Sequence, residues 1–148
     1  MENRIKIQDV QPQAWKAMYN LSGYLAGTQL TKTQQELIKM RASQVNGCAF
    51  CIDMHTKDAL KNGETTQRIF LLNAWRETDL FSAEEKALLA MTEEVTLISQ
   101  HGLSNETYKA AKTFFSDEVI AQIIMAIVII NGWNRIAIST LMPVPQGE

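Results

Sequence analysis

The stretch ELIKMRASQVNGCAFCIDMH, residues 36–55, holds both cysteines of the chain, one of its two histidines and a carboxylate. Asn46-Gly47 in its middle is a pair that ends one helix and lets another begin, because glycine accepts the left-handed backbone a helix end requires. A helix beginning at Cys48 turns about 100° per residue, so Cys48, Cys51 and His55 fall within roughly 60° of one another on one face. The unpaired N–H groups and partial positive charge of a first turn favour a thiolate there. His55, one turn beyond Cys51, is placed to accept or return a proton, the nucleophile-and-base pairing of an activated cysteine. A second cysteine three residues away can close a disulfide on a sulfenic acid formed at the first.

Outward from this stretch, the same punctuation predicts an all-α domain. Thr31 or Thr33 caps the helix that Gly47 ends, with Leu37, Met40, Ala42 and Val45 as its buried stripe. Glu36 stands three residues after Thr33, the arrangement of a capping box, so it either serves its own helix or faces the thiols. Pro12 opens an earlier helix to about residue 25, with Trp15, Met18, Leu21 and Leu25 at helical spacing, and residues 1–11 read as extended or irregular. Downstream, helices are expected over residues 48–61 and 66–77, with an Asp53–Lys57 pair on the exposed side of the first. Ser82 with Glu85 opens another that runs to His101-Gly102, and Ser104 caps one to about residue 115.

The last segment, residues 117–141, is rich in Ile and Val and has strand propensity. Its length, the absence of turn residues before Gly132 and the acidic Asp117-Glu118 first turn make it a helix. So wide an apolar surface implies burial in the core or against another subunit. Asn131-Gly132-Trp133-Asn134-Arg135 interrupts that surface as a candidate pocket wall or subunit contact. Pro143 and Pro145 mark an irregular tail, residues 143–148. The sum is a single domain over residues 1–148, about six or seven helices with its motif core at about 31–62.

With 148 residues, 46% hydrophobic and 20% charged, the chain suits one domain with a real core. A net charge of −2 and no basic stripe argue against a nucleic-acid partner. The N-terminus lacks a secretory apolar core, and the longest apolar run, residues 119–130, contains Gln122 and is too short to span a bilayer. The expectation is a cytoplasmic protein with no membrane partner. In that reducing setting a CxxC pair is redox-active or metal-binding. Haem attachment is excluded by Ile52, where a histidine would have to follow the second cysteine. Cys48, Cys51, His55 and Glu36 make up the ligand count of tetrahedral zinc, although structural zinc sites usually draw on a second Cys or His pair and only His101 remains. His101 reads as a cation near a helix C-terminus. The plainest alternative is two small buried hydrophobes one turn apart.

The spacing Glu36, eleven residues, Cys48, two residues, Cys51, three residues, His55 resembles the signature of the alkylhydroperoxidase AhpD-like family of the carboxymuconolactone decarboxylase superfamily. The chain as far as about Arg135 resembles that family too. The resemblance implies an all-α, AhpD-like helical bundle that forms homo-oligomers, trimers or hexamers, with the site near the subunit interface. It implies a peroxidase without a cofactor or metal, in which Cys51 is peroxidatic, Cys48 resolving, and Glu36 and His55 relay protons. Its partners would be a small-molecule peroxide and an external dithiol reductant. Superfamily decarboxylases lack the CxxC pair, so the resemblance is to the thiol branch. One departure is Phe50, which stands where the best-known peroxidase members have a histidine and which transfers no proton. A dithiol–disulfide oxidoreductase without peroxide specificity, and a zinc-binding or structural oligomer, therefore stand as alternatives.

Overall fold

Caps written into the sequence set the helix boundaries. The computed structural model describes residues 2–147; Met1 and Glu148, the ends of the expected domain and tail, lie outside them. Among the described residues all regular elements are helical: α1 (Ile7–Val10), α2 (Pro12–Gly23), α3 (Lys32–Asn46), α4 (Ala49–Lys61), α5 (Thr66–Phe70), α6 (Ala83–Thr96), α7 (Ile98–His101), α8 (Asn105–Lys112) and α9 (Asp117–Ser139). Two 3-10 segments, Tyr24–Gly27 and Leu72–Glu77, complete the set.

The capping box of α3 is built by Thr31 and Gln34, whose backbone N–H groups are each accepted by the other's side-chain oxygen, at 3.1 and 2.9 Å. Glu36 is thereby released from capping and is buried. Gly47, at φ +70°, closes α3 in the left-handed conformation that glycine adopts without steric penalty. Cys48 is extended and serves as the N-cap of α4, so that helix starts one residue later than the sequence suggests. Ser82 and Glu85 form the expected box on α6.

Two expected segments are subdivided. Residues 66–77 break after α5 and rewind as a 3-10 segment, which turns Leu72 and Trp75 into the core and leaves Phe70 exposed. The Trp75 indole donates to Glu93 at 2.8 Å. The helix opened by Ser82 ends at Thr96 and resumes as α7, bending the chain back toward Glu94, which accepts from the Ser104 N–H at 2.7 Å and from the Thr107 hydroxyl at 2.5 Å. At the N-terminus, α1 forms where extended or irregular chain was expected, and Ile5 and Val10 are exposed.

The centre of the core is α9 packed on α3 and α6. Ile123, Ile127 and Ile130 meet Leu37, Ile38, Met40, Leu88, Leu89 and Met91, all essentially inaccessible to water. Burial of each such side chain stabilises the fold by about 1.5–3 kcal/mol relative to exposure. By length and composition alone the whole of α9, unlike the shorter run 119–130 within it, is apolar enough to cross a membrane. Here those side chains form the middle of the helical core.

The Asn131–Arg135 segment does not interrupt α9. It supplies polar cross-links to α3: Asn46 donates to both Asn131 and Asn134 at 2.9 Å, and Asn134 donates to the Ser43 hydroxyl at 3.0 Å. Asn131 donates in turn to Thr96 on α6 at 3.0 Å. These bonds grip the last turn of α3, immediately before the Gly47-Cys48 turn. Asn134 is fully buried, so Asn134→Leu strands the Ser43 hydroxyl and removes a partner from Asn46. The expected loss is about 2–3 kcal/mol in a urea-unfolding measurement.

Candidate active site

Because α3 and α4 fold back on each other through Gly47, residues from both sides of the turn meet. Cys48 and Cys51 are joined by a disulfide, with their Cα atoms 5.3 Å apart. The Cys51 N–H points at the Cys48 sulfur from 3.3 Å, so a sulfur occupies the place that a serine or aspartate oxygen takes in most helix caps. Both cysteines are almost completely buried among Ala137, Phe50 and Met142.

One turn further along α4, His55 meets Glu36 of α3. The Nδ1–H of His55 donates to one carboxylate oxygen at 3.1 Å, and the Lys39 ammonium donates to the other at 3.2 Å. Burial raises the Glu36 pKa; the hydrogen bond from His55 and the charge of Lys39 outweigh it and hold the carboxyl below the usual glutamate value. An ionised carboxylate only accepts hydrogen bonds. Glu36 therefore fixes the proton of neutral His55 on Nδ1 and leaves Nε2 as its basic nitrogen. Lys39 was not singled out from the sequence, although its place three residues after Glu36 on one helix is the signal that could have found it.

Cys51 and His55 line a cavity of about 310 Å³. Its walls are apolar and aromatic, with Trp15 and Tyr19 from α2 and Trp133 from α9. Trp133 meets the other two edge-on, at ring-centroid distances of 5.1 and 5.5 Å, and its indole N–H donates to Ser22 at 2.7 Å. A Cβ at Gly132 would lie 3.0 Å from the terminal methyl of Met18, so that flexible side chain would have to give by a few tenths of an ångström. Trp133 was flagged by the sequence, whereas Trp15 had read only as a core position and Tyr19 was not singled out. Phe50 also lines the cavity and brings no proton donor to it.

The four-ligand zinc set is not assembled. Among the described residues the group whose ligand atoms gather within 4.8 Å is Glu36, His55 and Asp58, without either cysteine. The Lys39 ammonium already occupies one oxygen of Glu36, so the position is held by a cation of the chain's own. Disulfide sulfurs, unlike thiolates, are not zinc ligands.

An all-α domain with a CxxC pair at a helix start, backed by a buried glutamate–histidine pair, is the AhpD-like arrangement. The chain belongs to the carboxymuconolactone decarboxylase family, whose profile matches residues 12–94 and so spans Glu36, both cysteines and His55. It is 43% identical over 139 residues to YdfG, an uncharacterised protein of Bacillus subtilis, covering 94% of this chain and 95% of that one. It superimposes with a TM-score of 0.95 on the crystal structure of an Agrobacterium tumefaciens protein of unknown function for which a role as the antioxidant defence protein AhpD has been suggested. There the identity is 38%, over 99% of this chain and all of that one. The debrominase Bmp8 shares the fold at a TM-score of 0.84 and 18% identity, over 93% of this chain and 74% of its own.

The Glu36 pKa gives this site a pH signature. A carboxyl whose folded value is lowered contributes stability that is present above its ordinary value of 4.5 and is lost as pH falls through the folded value. Glu36→Gln is therefore expected to destabilise the protein at about pH 7, and in urea titrations the gap from the wild type should close as pH falls below the ordinary carboxyl value of 4.5. Lys39→Met should shift the onset of that loss to higher pH.

Proposed function

We propose that this protein is a thiol-dependent peroxidase that reduces organic hydroperoxides. The observation that carries the reading is that Cys51 and His55 open into one apolar cavity, with Glu36 behind His55 and Cys48 bonded to Cys51. In the reduced protein, Nε2 of His55 takes the Cys51 thiol proton, and Glu36 stabilises the imidazolium so formed. The Cys51 thiolate attacks the terminal peroxide oxygen; the S–O bond forms, the O–O bond breaks, and His55 returns its proton to the departing alkoxide. Cys48 then displaces water from the sulfenic acid and closes the disulfide. An external dithiol restores both thiols and is itself oxidised to a disulfide. Phe50 makes this relay one histidine shorter than in the best-known peroxidases. Aromatic and apolar walls favour a bulky organic hydroperoxide over hydrogen peroxide, which gains nothing from apolar burial. We place this chemistry in a reducing cytoplasm, in a homo-oligomer of the kind the family resemblance implies.

A second reading comes from the three aromatic rings over the cavity. Bmp8 is a debrominase, and one of its variants has been crystallised in complex with 2,3,4-tribromopyrrole. A flat halogenated ring suits edge-on aromatic walls, and a Cys51 thiolate could take the halogen while His55 protonates the ring carbon. Cys48 would then expel halide as the disulfide closes.

The test is free-thiol titration and intact mass on the reduced protein before and after one equivalent of cumene hydroperoxide. Wild type should lose both thiols, Cys48→Ser should hold a trappable sulfenic acid, and Cys51→Ser should stay unreacted. His55→Gln should slow the oxidation by about 10²-fold. Thiols untouched by the peroxide would overturn the peroxidase, and bromide release from tribromopyrrole under the same conditions would support the dehalogenase.

A further inference from the structure

The disulfide lies between two cavities, and each of its cysteines lines a different one. Cys51 lines the aromatic cavity and Cys48 does not; Cys48 lines a second cavity of about 330 Å³ and Cys51 does not. Phe50, Ala137 and Met142 are their common wall. The far side of the second cavity is built by Ile138 and by the non-helical chain that follows α9, including Leu141, Pro143 and Val144. No charged side chain is among its lining residues.

That tail is held by a costly bend. Leu141 has φ +52°, the left-handed region that a branched side chain seldom occupies, and it is the one non-glycine residue with positive φ among the described residues. The bend is fixed by the Met142 N–H, which donates to the Ala137 carbonyl at 3.0 Å. It lays residues 142–144 beside Cys48 instead of letting the chain leave the end of α9 into solvent. Folding thus spends strain on walling the Cys48 side.

We propose that this tail-side cavity is the entry site for the reductant, a small uncharged thiol, and that Cys48 is the sulfur it attacks. The inference rests on the reading of the pair as redox-active, though not on the peroxide as its oxidant. The incoming thiolate forms a bond to the Cys48 sulfur, the Cys48–Cys51 bond breaks, and Cys51 leaves as a thiolate into the cavity it shares with His55. The second thiol of a dithiol reductant then attacks its own sulfur in the mixed disulfide and releases Cys48 as a thiolate, while the reductant departs as a cyclic disulfide. Oxidising substrate and reductant therefore reach the pair from opposite sides and need not exchange places in one pocket. Phe50, where a histidine would be expected, is an apolar section of the wall that separates them.

The test treats the oxidised wild-type protein with β-mercaptoethanol, quenches with N-ethylmaleimide and maps the adducts by mass. Mercaptoethanol on Cys48 with maleimide on Cys51 is the expected result; mercaptoethanol on Cys51 would overturn the proposal. Glutathione, which carries two carboxylates, should reduce the disulfide at least about tenfold more slowly at equal thiolate concentration, and equal rates would overturn the uncharged ligand. Ile138 is on the exposed rim of the cavity, so Ile138→Trp narrows the entrance without touching the core. It should lower the ratio of the dithiothreitol reduction rate to the oxidation rate by about tenfold, and an unchanged ratio would count against the site. Diamide can oxidise the dithiol in every arm. A protein inert to cumene hydroperoxide that still places the adduct on Cys48 would defeat the peroxidase reading and leave this one standing.

Discussion

The left-handed turn at Gly47 is the constraint on which the site depends. At φ +70° it ends α3 and starts α4 within two residues, so the helices return alongside each other and Glu36 and His55, nineteen positions apart in sequence, come within hydrogen-bond distance. The same turn makes Cys48 a cap rather than a helical residue, which points its sulfur at the first turn of α4. A β-carbon at position 47 would disfavour that backbone whatever the surrounding space. The asparagine cross-links from α9 hold the preceding turn of α3, so the geometry of the cysteine pair is anchored to the centre of the core.

The electrostatic design follows from burial. A carboxylate this deep would be driven to protonate, yet Glu36 has a cation on one oxygen and an imidazole N–H on the other. The chain of Lys39, Glu36 and His55 converts a desolvated charge into a fixed orientation for one ring nitrogen. Positive charge arising on His55 would be met by a carboxylate already in place, with no side chain having to move. The aromatic walls keep the other end of the cavity apolar, so attraction between charges near Cys51 is weakly screened.

Much of this was legible in the sequence because it was local. The CxxC pair, the histidine one turn later, Gly47, the Ser82 box and the helical nature of residues 117–139 all follow from spacing and propensity, and the structure contains each of them. The Glu36 ambiguity arose because two overlapping pairs, Thr31 with Gln34 and Thr33 with Glu36, have the same offset. Local rules cannot choose between them, and the burial of Glu36 against α4 does. Trp15 read as core because helical periodicity says which face is apolar without saying whether a cavity lies beneath it, and Tyr19 fell outside that stripe. The polar residues of 131–135 looked like a break, since pairing with Asn46 and Ser43 about ninety positions away in the chain has no local signature.

The size of the ring closed by the Cys48–Cys51 bond has a consequence for the whole molecule. Loop-closure entropy grows with the number of residues enclosed, and a cross-link over three positions restricts the denatured chain by only about 2 kcal/mol, less than half of what a hundred-residue loop would give. The fold's cohesion comes instead from the isoleucine, leucine and methionine side chains buried between α3, α6 and α9. If the pair cycles as proposed, the bond opens and closes while the scaffold that aims its sulfurs stays assembled, so turnover of the bond is separate from the lifetime of the fold.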